Sequence, residues 1–136
     1  GDILVTPLQV VQMMNLISMG GNTFKPHLRM ENSKEFSLQL KKSTWHYLQE
    51  ATLKVVNHEN GTGKLAYVDG VNIHGKTGTA QNPHGEDHSW FTGYLANDKQ
   101  PIISLVVLVE NGGKGSVEAA QLSQKIFNYV KKKYSL

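Results

Sequence analysis

Apolar and polar positions alternate along this 136-residue chain with two periods, and the changes of period mark its elements. Thr6 followed by Pro7 supplies an N-cap and a proline in the first helical turn. Through residues 8–19 the polar side chains Gln9, Gln12, Asn15 and Ser18 recur every third position on an otherwise apolar segment. That spacing predicts a helix buried on most sides, ended by Gly20 and Gly21. Its methionines read as adaptable core filler. Residues 24–30 are extended, because Lys25 precedes Pro26, and 31–34 form a polar turn. Phe36, Leu38 and Leu40 alternate with Ser37, Gln39 and Lys41, a short strand or extended arm. Ser43 or Thr44 is expected to cap a second helix with Trp45, Leu48, Thr52 and Val55 on one face, supported by Ala51 and Val56. It breaks over the polar, glycine-containing residues 57–63.

In the second half the period falls to two. Val71 and Ile73 alternate with Asn72 and His74, the pattern of a half-buried strand over 71–80. Residues 82–87 are a turn-rich loop. Residues 88–96 form an aromatic-rich second strand that sends Trp90 and Phe91 to opposite faces. Residues 97–101 are a loop of hairpin length. Residues 102–110 are nearly all apolar, as in a central strand covered on both faces. After a glycine-rich connection at 111–115, the residues Ala119, Leu122, Ile126, Phe127 and Val130 mark an amphipathic C-terminal helix. Short links between the strands favour a three-stranded antiparallel meander packed with helices, an α+β layer in one domain.

The formal net charge of +3 draws on Lys131, Lys132 and Lys133, which suit a solvated helix C-terminus. Basic residues are not interleaved with aromatics, so no nucleic-acid partner is expected. The chain has no cysteine, which excludes disulfides and thiolate metal sites. No apolar run approaches the roughly 20 residues of a membrane span, and no signal peptide is visible. The chain begins abruptly at Gly1, close to a helix start, and is expected to be a piece of something longer.

The chemistry gathers at Lys76, Thr77, Gly78 and Thr79: a cation, two hydroxyls, and a position without a side chain where a ligand's backbone can come close. This stretch reads as one wall of an anion-binding cleft. Residues 70–77, opened by Gly70 and closed by Thr77, spell G-x-x-x-x-G-K-T, the phosphate-cradling loop of nucleotide-binding domains. That loop needs a helix starting at the lysine, whereas the residues around Lys76 are strand-like and Gly78 and Pro83 follow. The other match is K-T-G from Lys76. His84, Glu86, Asp87 and His88 could be imagined around a metal, but they lie on a loop with Pro83 and Gly85 that aims no pair of rings, so no metal is expected. His74 is expected to be half satisfied by its sheet neighbours. Asn111, Gly112 and Gly113 form a connecting turn rather than an anion nest.

Four segments carry a resemblance: G-D-I-L-V-T-P-L-Q from Gly1, K-T-G-T-A-Q from Lys76, H-S-W-F-T-G-Y from His88 and V-L-V-E-N-G-G from Val107. In this order they resemble the C-terminal part of the transpeptidase domain of class B penicillin-binding proteins, most of all the elongation-type penicillin-binding protein 2 group. The resemblance implies a serine D,D-transpeptidase that builds the cell wall, needs no cofactor, and binds D-Ala-D-Ala stem peptides and β-lactams. A β-lactam sensor or β-lactamase-like hydrolase is the alternative within that fold. Lys76 would join the network around the catalytic serine, and Thr77 and Thr79 would bind the ligand carboxylate. The Thr79 N–H would be one oxyanion-hole donor, and the strand would pair with the acyl donor. The resemblance further implies an anchor in the bacterial inner membrane with the catalytic domain outside it, and a membrane glycosyltransferase and rod-shape scaffold proteins as partners. No serine of the chain stands in Ser-x-x-Lys or Ser-x-Asn, the family's other two motifs. Both are expected upstream of Gly1, so the chain carries half a site and alone should be inactive.

Overall fold

The computed structural model describes residues 4–29 and 34–136; the segment at Gly1 and most of the polar turn expected at 31–34 lie outside the described residues. Helix α1 (Pro7–Ser18) opens on a capping box. The Thr6 hydroxyl accepts from the Gln9 N–H, and the Gln9 carboxamide accepts from the Thr6 N–H. Gly20 and Gly21, at φ 63° and 100°, turn the chain out of the helix. Of its side chains only Met14 and Ile17 are buried, while Leu8 and Met13 are 57% and 50% exposed. The expectation of a helix buried on most sides is corrected here. A narrow polar stripe says which side of a helix prefers water, but not how many neighbours cover the remainder.

Strands β1 (Asn22–Phe24) and β2 (Glu35–Ser37) pair antiparallel as a small ribbon, Thr23 opposite Phe36. Helix α2 (Lys42–Asn57) starts before the expected caps, with Lys41 at the N-cap and no side-chain capping bond, so Ser43 and Thr44 lie inside the first turn. Its buried face is Trp45, Thr52 and Val56. A short 3₁₀ turn, Lys64–Ala66, buries Ala66 and was not foreseen from periodicity.

The main sheet comprises β3 (Asn72–Ala80), β4 (His88–Asn97) and β5 (Gln100–Val109), antiparallel throughout and in the order β3-β4-β5. The meander is the expected one, but β4 is its central strand. β5, expected there from its apolar run, lies at an edge among the described residues, with Ile102 and Ile103 41% and 36% exposed. An apolar run reports low polarity on both sides of a pleat, not which strands flank it. The hairpin is also tighter than foreseen. Asn97 pairs with Gln100 around Asp98, at φ 52°, and Pro101 pairs with Ala96 beside a register irregularity.

The pleat divides the core. On one face Ile73, Phe91, Leu95, Leu105 and Val107 pack against Ala119, Ala120, Phe127 and Val130 of helix α3 (Glu118–Tyr134). On the other, Tyr94 and Ala96 meet Met14 and Ile17 of α1. Helix α2 adds Val56 to the first cluster and Trp45 to the second. Along α3 the buried stripe is Ala119, Ala120, Ser123, Phe127 and Val130. Leu122 and Ile126, expected in it, are 43% and 37% exposed because they fall to one side of that line. At the end of α3 the Lys131 ammonium donates to the Asp69 carbonyl, which ties the helix to the turn before β3.

Candidate active-site strand

Strand β3 is an edge strand, and two hydrogen bonds fix which of its backbone groups face outward. The Asn57 amide of α2 donates to the Ile73 carbonyl at 2.7 Å, and the Lys76 ammonium donates to the Thr77 carbonyl at 2.7 Å. Both carbonyls therefore point away from β4. In an antiparallel strand a residue's N–H and C=O point to the same side and alternate along the chain. Gly75, Thr77 and Thr79 thus turn their backbone groups away from β4, those of buried Gly75 covered and those of Thr77 and Thr79 at the free edge, and His74, Lys76 and Gly78 present theirs to β4. Among the described residues no strand pairs with that edge.

Side chains alternate as well, between the two faces of the sheet. Lys76 and Gly78 lie on the α1 side; Thr77 and Thr79 lie on the α3 side. The lysine and the two hydroxyls do not meet at one point of the surface, as the bare sequence suggested. They flank one open edge from both faces. Lys76 and Thr79 are exposed, Thr77 and Gly78 half-buried. The Thr77 and Thr62 hydroxyls share a hydrogen bond of 3.0 Å, and the Thr79 hydroxyl accepts from the Gly115 N–H at 3.2 Å. Gly78 is the informative absence. A Cβ there would find only the Trp90 Cβ, at an ordinary 3.4 Å, so the protein's own packing does not call for glycine. Gly75 is the opposite case, since a Cβ would run into the Phe91 ring.

His74 sits two positions before Lys76, on the same face. Its ring stacks on Tyr94 with centroids 4.2 Å apart, and Nδ1 donates to the Gln49 carbonyl at 3.0 Å. That carbonyl can only accept, which puts the proton of the neutral ring on Nδ1. Burial holds the imidazole below its ordinary range, against the Gln49 bond and the Glu50 charge, which favour the cation. Burial also pushes the Tyr94 phenol up to about 12. Both rings border a cavity of about 250 Å³ that His46, Glu50, Asp98 and Lys99 also line.

The loop at 82–88 is tied down by its own side chains: the Asp87 carboxylate accepts from the Asn82 N–H, and His88 Nδ1 accepts from the Asn111 N–H. The nucleotide alternative fails on local structure, since β3 continues to Ala80 and no helix begins at Lys76. Sequence reasoning missed Thr62, Ser89 and Gly115. Thr62 is flanked by Gly61 and Gly63, and that small-residue break was the one available signal; nothing in the sequence marks a buried serine as a partner of a loop.

Comparison with known proteins follows this geometry. Residues 1–130 match the family described as penicillin binding protein transpeptidase domain. The peptidoglycan D,D-transpeptidase MrdA of Haemophilus influenzae is 32% identical over 152 residues, covering 91% of this chain and 23% of that protein. The peptidoglycan D,D-transpeptidase PbpA of Mycolicibacterium smegmatis is 32% identical over 128 residues, 82% of this chain and 25% of its own length. Pseudomonas aeruginosa PBP2, solved in complex with WCK 5153, superposes with a TM-score of 0.74 at 27% identity over 94% of this chain and 30% of that one. The D,D-transpeptidase domain of a peptidoglycan glycosyltransferase from Eggerthella lenta gives 0.76 at 25% identity, over 96% and 33%. The chain spans about a quarter of the length of these curated relatives. Its sequence and its fold match along nearly all of its own length, and the chain belongs to the penicillin-binding protein transpeptidase domain family.

Proposed function

We propose that residues 1–136 are the C-terminal portion of a single transpeptidase domain, and that the complete polypeptide is a serine D,D-transpeptidase that cross-links peptidoglycan and is acylated by β-lactams. The observation that carries this is the free edge of β3, where Thr77 and Thr79 present backbone groups beside the Lys76 cation. An extended acyl donor adds there as a further strand, and Gly78 lets it lie close. Lys76 supplies positive potential beside the reacting carbonyl. Thr77 and Thr79 donate their hydroxyl protons to the carboxylate of a D-Ala-D-Ala terminus or a β-lactam. The Thr79 N–H points to the oxygen that becomes negative in the tetrahedral intermediate. The nucleophilic serine and its lysine come from another part of the polypeptide, because no Ser-x-x-Lys occurs in this chain. With this function go the inner-membrane anchor, the extracytoplasmic catalytic domain, and the glycosyltransferase and rod-shape scaffold partners expected from the elongation-type group.

Fluorescent penicillin tests the assignment. The complete polypeptide should take a covalent label at a serine outside residues 1–136, and a D-Ala-D-Ala peptide should compete with it. The 136-residue chain alone should take none. Labelling of a serine within this chain would overturn the division of the site, and a complete polypeptide that refuses the label would overturn the function.

A further inference from the structure

Thr79 is held from behind. Its hydroxyl oxygen accepts from the Gly115 N–H at 3.2 Å, and directly across the β3-β4 ladder from it stands Ser89, wholly buried. The Ser89 hydroxyl donates to the Lys114 carbonyl at 3.1 Å and accepts from the Ala119 N–H at 3.0 Å. One buried side chain thereby pins both ends of the segment that carries Gly115 into α3. Gly115 lies directly on the sheet backbone. A Cβ would overlap the Gly78 carbonyl and come within 2.7 Å of the Trp90 carbonyl, so only glycine brings its N–H so close to the strand.

We propose that Ser89 and Gly115 are positioning residues that set the Thr79 hydroxyl as a donor toward the ligand's carboxylate. A hydroxyl has one proton to give and two lone pairs to receive with. At Thr79 a backbone N–H from the α3 side takes up an accepting position, which anchors the oxygen and polarises the remaining O–H. The proton is then free to turn to the exposed edge, where an anion would lie. The Thr77 hydroxyl has no such anchor, since its partner is another hydroxyl, Thr62, which can give or receive. The two threonines are therefore unequal: Thr79 is a fixed donor, and Thr77 an adaptable one.

This inference rests on the proposed function, and the experiment separates the two. In the complete transpeptidase, acylation efficiency is measured with benzylpenicillin and with its methyl ester, which lacks the carboxylate charge. The readout is the ratio of the two. Losing the anchor through Ser89→Ala should lower the ratio about 2- to 10-fold, the worth of one ordinary hydrogen bond, and leave the ester's efficiency near that of the parent. Thr79→Val should lower it at least as far, and the double variant no further than Thr79→Val alone. A parent-like ratio in Ser89→Ala beside a lowered one in Thr79→Val overturns the positioning role and keeps the proposed function. Equal losses for acid and ester in Ser89→Ala also overturn it, since that is general damage. A parent-like ratio in Thr79→Val overturns the carboxylate role of β3 itself. Should Ser89→Ala not fold, amide exchange at Gly115 decides: faster exchange in Thr79→Val than in the parent supports the anchor, and unchanged exchange removes it.

Discussion

His74 and Tyr94 stack ring on ring across neighbouring strands, 12° from parallel, with the imidazole proton committed to the Gln49 carbonyl. Burial lowers the pKa of that imidazole in the folded protein, so the unfolded chain takes up its proton at a higher pH than the native one. Between the native pKa and the ordinary 6.5 the unfolded state binds more protons. His74 therefore contributes stability that is fully present above 6.5 and is lost as pH falls through that window. His74→Phe keeps a ring on Tyr94 but cannot titrate. Its urea midpoint should fall less than the parent's between about pH 7.5 and about pH 5. Parallel curves would show that this ring does not titrate with folding.

Lys76 and Thr79 should matter for acylation and little for folding, because both side chains are exposed. A hydrogen bond to a charged group is worth about 1.5–3 kcal/mol, so Thr79→Val in the complete enzyme should lose roughly 10- to 150-fold in acylation efficiency. Lys76→Ala removes the fixed cation as well and should cost at least as much. Stopped-flow acylation with penicillin, paired with thermal melts, checks this. Parent-like rates in both variants would make residues 76–79 a structural strand.

Two glycines of β3 should behave oppositely. Gly75→Ala drives a methyl into the buried Phe91 ring and should destabilise the protein by about 1–3 kcal/mol. Gly78→Ala meets only ordinary contact with Trp90, so stability should change by less than about 0.5 kcal/mol. Acylation should nonetheless slow, because the methyl stands where a ligand backbone would lie. Denaturant titrations and acylation rates on the same two variants distinguish the effects, and equal melting loss in both would refute the contrast.

Magnesium ATP or GTP should not bind. The residues after Lys76 continue as strand and offer no helix N-terminus to a phosphate chain. Calorimetry showing magnesium-dependent micromolar affinity would contradict the strand geometry at 72–77.

The α+β class, the meander and the lysine-threonine strand were legible because period-2 alternation and short links are local properties of the sequence. The Thr6 cap was legible for the same reason, since its partner Gln9 is three residues away. What escaped depends on contacts distant in the chain. Ser89 and Lys114 are 25 residues apart, and Thr79 and Gly115 are 36 apart; no period links either pair. Solvent exposure of α1 and the edge position of β5 were misjudged because apolar character was equated with cover. Gly75 and Gly78 look alike as letters and differ only in what a Cβ would meet.

Asn57 gives the open edge a closed end. Its side-chain amide bridges the Leu53 carbonyl of α2 and the Ile73 carbonyl of β3, taking up an outward main-chain bond just beyond buried Gly75. A visitor entering along Thr79 can register with the outward groups of Thr79 and Thr77, and at buried Gly75 it must stop. At about 3.4 Å per residue that is a berth of roughly three residues. The edge is thus a gauge as well as a binding surface. It is long enough for the tip of a short peptide, and too short for two sheets to zip together along their rims.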